Sequence, residues 1–175
     1  METTSPARTY TQVRQWIHWI AVFLVLTLIP TGLVMARTVD DGLRLTLYQL
    51  HLAIGWGVVA LAIWRVVLRF RQRVSAPADL APWNRQLFHA VHWAVAVFPL
   101  LLAVSGFGAI VQNDLLPVLQ AGDAPPATLD AATARTGHQL GAYLFIALLI
   151  AHVAGIVRHQ SRFGGALAPM MRPGR

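Results

Sequence analysis

The chain has 175 residues, 56% of them hydrophobic and only 12% charged, with a mean hydropathy of +0.54. A domain this short keeps much of its surface wet, so a water-soluble globule could not bury that apolar share, and disordered chains have the opposite composition. The net charge of +7 comes from fourteen arginines, with no lysine, which fits arginine flanking membrane spans and not a nucleic-acid binder.

Four apolar stretches follow one another along the chain, at about 16–36, 45–70, 86–113 and 136–158. Each is near or above the roughly 20 residues that cross a bilayer as a helix. The first, from Trp16 to Ala36, carries Pro30 and Gly32 and lacks a small-residue cleavage pattern, so it reads as a retained span and not a signal peptide. The second runs from Leu45 to Phe70 and ends in a basic, proline-containing turn from Arg71 to Pro82. The third runs from Gln86 to Asn113. After it, Asp114 to Arg135 holds Pro117, Gly122, Pro125, Pro126 and three acids, the composition of an exposed loop. The fourth runs from Thr136 to Arg158. No internal repeat and no soluble domain stands out. The expected fold is therefore all-α: a polytopic membrane four-helix bundle, with residues 1–175 as one membrane domain.

Charge orients it. Alternating spans put Arg8, Arg14, Arg65, Arg69, Arg71, Arg73, Arg85, Arg158, Arg162, Arg172 and Arg175 on one side with only Glu2 and Asp79. The other side holds Arg37, Arg44 and Arg135 with five aspartates. The positive-inside rule then makes both termini cytoplasmic. Trp16, Trp19, Trp83 and Trp93 fall near the cytoplasmic ends, where amphipathic rings suit the headgroup layer.

Chemistry enters with seven histidines, six of them inside the spans, where ionisable groups are costly and mark function. His18 lies near the cytoplasmic start of the first span, and His51 a turn or two into the second from the opposite side. His138 opens the fourth span and His152 follows fourteen residues later. Fourteen helical residues rise about 21 Å and return to within roughly 40° of the starting direction. His138 and His152 thus share a face at two depths, His152 level with His18 and His138 level with His51. Two imidazoles at each of two depths suit two six-coordinate haem irons held between facing helices. The chain has no cysteine, which excludes disulfides, thiolate metal sites, iron–sulfur clusters and covalent c-type haem, and leaves non-covalent haem b.

The same fourteen-residue step links His18 to Gly32 and His92 to Gly106, where a missing side chain would let a flat macrocycle approach the backbone. Gly55, Gly141 and Gly155 lie three or four residues after His51, His138 and His152. Arg65, fourteen after His51, would face a haem propionate. Plainer roles stand beside these: a membrane histidine can simply hydrogen-bond a neighbouring helix, small residues serve close packing, and Arg65 can snorkel to the interface. His89 and His92 suit haem edges, quinone, protons or structure equally. His159, seven after His152, reads as a polar or proton-handling group.

The chain resembles the bacterial cytochrome b561 family in Trp16-Ile17-His18-Trp19, in His51 followed by Gly55 and Arg65, and in Phe88-His89-Ala90-Val91-His92. The likeness continues in His138-Gln139-Leu140-Gly141 followed by His152 and in the tail Met170-Met171-Arg172. It covers almost the whole chain in order. The resemblance implies a four-helix inner-membrane protein with two b haems, ligated by His18 with His152 and by His51 with His138, and with the histidines of the third span as non-ligands. It also implies electron exchange with ubiquinone or a similar quinone, in some members with superoxide as the donor. Superoxide is an anion, and three outer arginines against five aspartates do not favour its capture by charge. A haem-bearing anchor that relays electrons from a soluble dehydrogenase or hydrogenase fits the same features, and a histidine-lined transporter or proton channel would be colourless. Small residues on the outer helix faces would permit a homodimer.

Overall fold

A bilayer interior offers no water to backbone N–H and C=O groups, so a chain that crosses it satisfies them within each segment, as a helix does. The computed structural model describes residues 6–71, 76, 80–126 and 133–163. These form five helices and no strand: α1 (Pro6–Met35), α2 (Asp41–Arg71), α3 (Pro82–Gln112), α4 (Leu115–Ala121) and α5 (Thr133–Phe163). Four are long and apolar enough to span a membrane, over Gln12–Met35, Asp41–Arg71, Pro82–Gln112 and Ala134–Arg162. The protein is thus a polytopic helical bundle. A helix of 31 residues is about 46 Å long against about 30 Å of hydrocarbon, so the helices run on past their apolar stretches. Hydropathy marks the part in lipid, whereas backbone hydrogen bonding continues through the headgroup layer. Of the residues that orient the chain, Glu2, Arg73, Asp79, Asp130, Arg172 and Arg175 lie outside the described residues, as does Met170-Met171-Arg172.

The bundle is assembled from two antiparallel pairs, α1 with α2 and α3 with α5, joined by contact between α2 and α3. Its small core includes Ala21, Ala62 and Ala96, while Phe23, Leu26, Trp56, Val104 and Ile150 face outward. Lipid is as apolar as leucine, so helices here associate through close packing of small residues. Gly57 admits the Leu24 side chain, Gly108 lies against Ala134 and Gly141 against Leu102. Phe98 and Phe145 stack between α3 and α5 at 5.8 Å.

The two pairs also repeat one another in sequence, which corrects the expectation of no repeat. Shifted by 74 residues, His18-Trp19 becomes His92-Trp93, Leu28 becomes Leu102 and Thr31-Gly32 becomes Ser105-Gly106. Shifted by 87, His51 becomes His138 and Ala60-Leu61 becomes Ala147-Leu148, while Arg65 falls opposite a different residue, His152. The shift changes because the connection within the second pair is longer, so no single offset reveals the repeat.

That longer connection is not simply the exposed loop its prolines and glycine suggest. Asp114 takes a left-handed backbone conformation (φ 48°) that breaks α3, and α4 follows with Leu115 buried. Pro117 lies in the first turn of α4, where a missing N–H costs nothing, and Gly122 (φ 80°) ends the helix. Pro125 is fully buried. Arg44 is buried against it: its Nε donates to the Pro125 carbonyl at 2.6 Å, its Nη1 reaches the carbonyls of Thr38 and Val39, and its Nη2 pairs with Asp41. Arg44 therefore clamps both connections at this end and is not part of an exposed basic patch.

Candidate functional site

One end of the bundle carries Arg14, Arg65, Arg69, Arg71, Arg85, Arg158 and Arg162 and is called basic below. The acidic end carries Asp40, Asp41, Asp114 and Asp123, the only acids among the described residues. The histidines lie at two levels between them.

At the acidic-end level, His51 on α2 and His138 on α5 face each other with ring centroids 6.2 Å apart and planes at 77°. Two imidazoles sharing one metal ion from opposite sides, each bonded at about 2 Å, would have centroids roughly 6 Å apart. Each ring is held by the preceding long helix of its own pair. Thr31 Oγ1 lies 3.4 Å from His51 Nδ1, and Ser105 Oγ lies 3.2 Å from His138 Nδ1. The Leu102 carbonyl lies 2.9 Å from the same His138 nitrogen. Glycine makes the approach possible: a Cβ on Gly32 would stand 2.9 Å from His51 Cε1, and one on Gly106 would stand 3.0 Å from His138 Cε1. Gly32 and Gly106, whose expected neighbour is a macrocycle, lie directly against the imidazoles. Gly55, a turn further along α2 from His51, has open space beside it.

Among the described residues no three His, Cys, Asp or Glu side chains gather into a cage for a bare metal ion. Two opposed imidazoles suit a metal that brings its own equatorial ligands, as haem iron does. The acidic-end residues fit that group in donor type, spacing and shape.

At the basic-end level, His152 on α5 meets His92 on α3 with centroids 5.1 Å apart at 84°. That edge-to-face packing is closer than two rings sharing an ion from opposite sides. The Nδ1 of His92 lies 2.7 Å from the Phe88 carbonyl of its own helix, and its ring rests 4.1 Å from the Phe88 ring. His18 packs edge-on to Trp19 and lies within electrostatic reach of Arg65 and His152. Arg65 is half-buried, and the Arg69 guanidinium sits 5.2 Å from the centre of the Trp93 ring. No acid among the described residues lies at this end. A carboxylate-bearing ligand would find complementary charge here.

The remaining candidates separate. His89 is exposed and touches Phe88 edge-on. His159 is half-buried on α5, two turns beyond His152. Gly141 serves the contact with Leu102, and Gly155 is exposed with nothing near it. Thr31 and Ser105 were not among the sequence candidates. Their signal is the repeated Leu-x-x-Ser/Thr-Gly at Leu28–Gly32 and Leu102–Gly106.

Comparison with individually curated proteins gives no match. The family model for prokaryotic cytochrome b561 matches residues 9–173, nearly the whole chain. With its four apolar helices and facing histidines, this chain belongs to the prokaryotic cytochrome b561 family and is a multi-pass membrane protein that uses b-type haem to transfer electrons.

Proposed function

We propose that the protein is a di-haem carrier of the bacterial inner membrane that moves electrons between a donor and the ubiquinone pool. The observation that carries this reading is the His51–His138 pair, two imidazoles opposed at 6.2 Å inside an apolar bundle. In this reading His51 and His138 hold one haem, and His18 and His152 hold the second, with His92 packed against His152 as a neighbour. Bound there, haem supplies a one-electron couple. Held by a histidine from each of two helices, the iron would be closed to dioxygen, and the surrounding apolar helices would exclude water. Arg65 offsets a carboxylate at the basic end, where it has no acidic neighbour among the described residues. His89, His92 and His159 are the protonatable groups towards that end, available for quinone or proton handling. The arginine asymmetry makes the basic end cytoplasmic, together with both termini.

Superoxide would meet an acidic-end face on which Arg44 is engaged by backbone carbonyls and Asp41, and the other charges described there are Arg37 and Arg135 against Asp40, Asp114 and Asp123. Charge steering of an anion has little support there.

A redox-difference spectrum of the purified protein, taken first with superoxide and then with ubiquinol as reductant, tests the proposal. Six-coordinate b-haem bands that appear with superoxide and are discharged by ubiquinone, or appear with ubiquinol and resist superoxide as reductant, identify donor and direction. Absence of any reducible six-coordinate haem would overturn the reading. A co-purifying soluble dehydrogenase, with no quinone reaction by the isolated chain, would replace it with the anchor-subunit role.

A further inference from the structure

The two helix pairs present the same device to His51 and His138. Each offers a leucine carbonyl, a hydroxyl three residues later and a glycine immediately after that: Leu28, Thr31 and Gly32 for one, Leu102, Ser105 and Gly106 for the other. The Ser105 hydroxyl donates to the Leu102 carbonyl at 2.9 Å, so its proton is committed and its oxygen is left to accept. The Thr31 hydroxyl likewise donates to the carbonyls of Leu28 at 2.8 Å and Thr27 at 3.0 Å. Each hydroxyl oxygen then stands at the Nδ1 of a histidine, 3.2 Å away at His138 and 3.4 Å away at His51. The Leu102 carbonyl also lies 2.9 Å from His138 Nδ1; a carbonyl, like a hydroxyl that has spent its proton, can only accept, so Nδ1 carries the hydrogen and Nε2 keeps its lone pair. The glycine lets this side of the ring press against the backbone. At the basic end the His92 Nδ1 lies against a carbonyl of its own helix, not of a neighbouring one.

We infer that Thr31 and Ser105 are positioning residues for the acidic-end iron ligands, setting the ring planes of His51 and His138 and, with the Leu102 carbonyl at His138, holding their Nδ1–H tautomer. This rests on the proposed role of those histidines as ligands. A hydrogen bond accepted from Nδ1–H makes a ligating imidazole more basic and favours the oxidised iron. The two hydroxyls therefore hold the acidic-end haem at a lower potential than bare imidazoles would.

The test uses full-length, haem-loaded protein carrying Thr31→Val, Ser105→Ala or both, with Thr31→Ser and Ser105→Thr as hydroxyl-retaining partners. Each hydroxyl-less variant should keep both haems and shift the redox equilibrium of the acidic-end haem about threefold towards the reduced form, about 28 mV at 59 mV per tenfold. The largest g value of that haem's low-spin EPR signal should move as the ring plane is released, while the other haem keeps its potential and signal. The hydroxyl-retaining variants should match the wild type. Unchanged potential and EPR in the double variant would overturn the inference, as would equal changes in both haems. If Thr31→Val or Ser105→Ala costs the haem altogether, its loss from Thr31→Ser and Ser105→Thr as well would also overturn the inference. Should His51→Ala and His138→Ala leave both haems bound, the ligand reading itself fails. Should they remove one haem while the hydroxyl variants stay silent, only this inference fails.

Discussion

At the acidic-end level the two facing imidazoles occupy equivalent positions of the two helix pairs, whereas at the basic-end level the equivalent positions hold Arg65 and His152. An arginine keeps its proton and offers no lone pair, so it cannot stand in for a ligand. A second basic-end imidazole must come from the other helix of a pair, as His18 on α1 or His92 on α3. The repeat thus yields a symmetric site at one end and, through one differing residue, an asymmetric and positively charged site at the other. That difference has a redox consequence. Positive charge near a haem favours its reduced form, and hydrogen bonds accepted from ligand imidazoles favour the oxidised one. With a haem at each level, as proposed, both effects would favour electron flow from the acidic end to the basic end.

The largest expected effect comes from removing a symmetric ligand. His138→Ala or His51→Ala should lower the haem content from two per chain to one, measured by pyridine haemochrome, with the survivor retaining the basic-end properties. The basic end sharpens the comparison through its three histidines. His152→Ala and His18→Ala should each abolish that haem, while His92→Ala should keep both haems and only perturb the band position. Loss of haem with His92→Ala and its retention with His18→Ala would move the ligand assignment from α1 to α3.

Charge comes next. Arg65→Met removes a cation from the basic-end level and should lower that haem's potential by about 59 mV, one tenfold change in the redox equilibrium, leaving the acidic-end haem in place. Equal shifts in both haems would break the assignment of Arg65 to one level. The smallest effect is steric. A Cβ at Gly106 would press on His138 Cε1 at 3.0 Å, so Gly106→Ala should destabilise the protein by about 1–3 kcal/mol and disturb the acidic-end spectrum. Gly155→Ala, where nothing lies within 4 Å, should leave both thermal stability and spectrum unchanged.

Much of this was legible in the sequence. Long apolar runs specify membrane helices because lipid leaves the backbone no alternative, and helical rise alone puts His51 level with His138. The helix α4 was not legible, because Pro117 and Gly122 read as breakers until their places in the first turn and at the C-cap are known. The fate of Arg44 depends on the buried carbonyl of Pro125, 81 residues away in the chain. The repeat was hidden by its change of offset, and with it the matching roles of Thr31 and Ser105. The contact of His92 with His152 depends on the rotation of α3 about its axis, which a nearly all-apolar helix does not encode in its periodicity.

The central claim is that two haems sit at two levels, the acidic-end one between His51 and His138. Haem quantification with low-temperature EPR on the purified wild-type chain tests it most directly. The account predicts two haem b per chain and two distinct low-spin ferric signals, one of which vanishes with His138→Ala. A single haem per chain, a high-spin signal from the wild type, or both low-spin signals surviving in His138→Ala would contradict it.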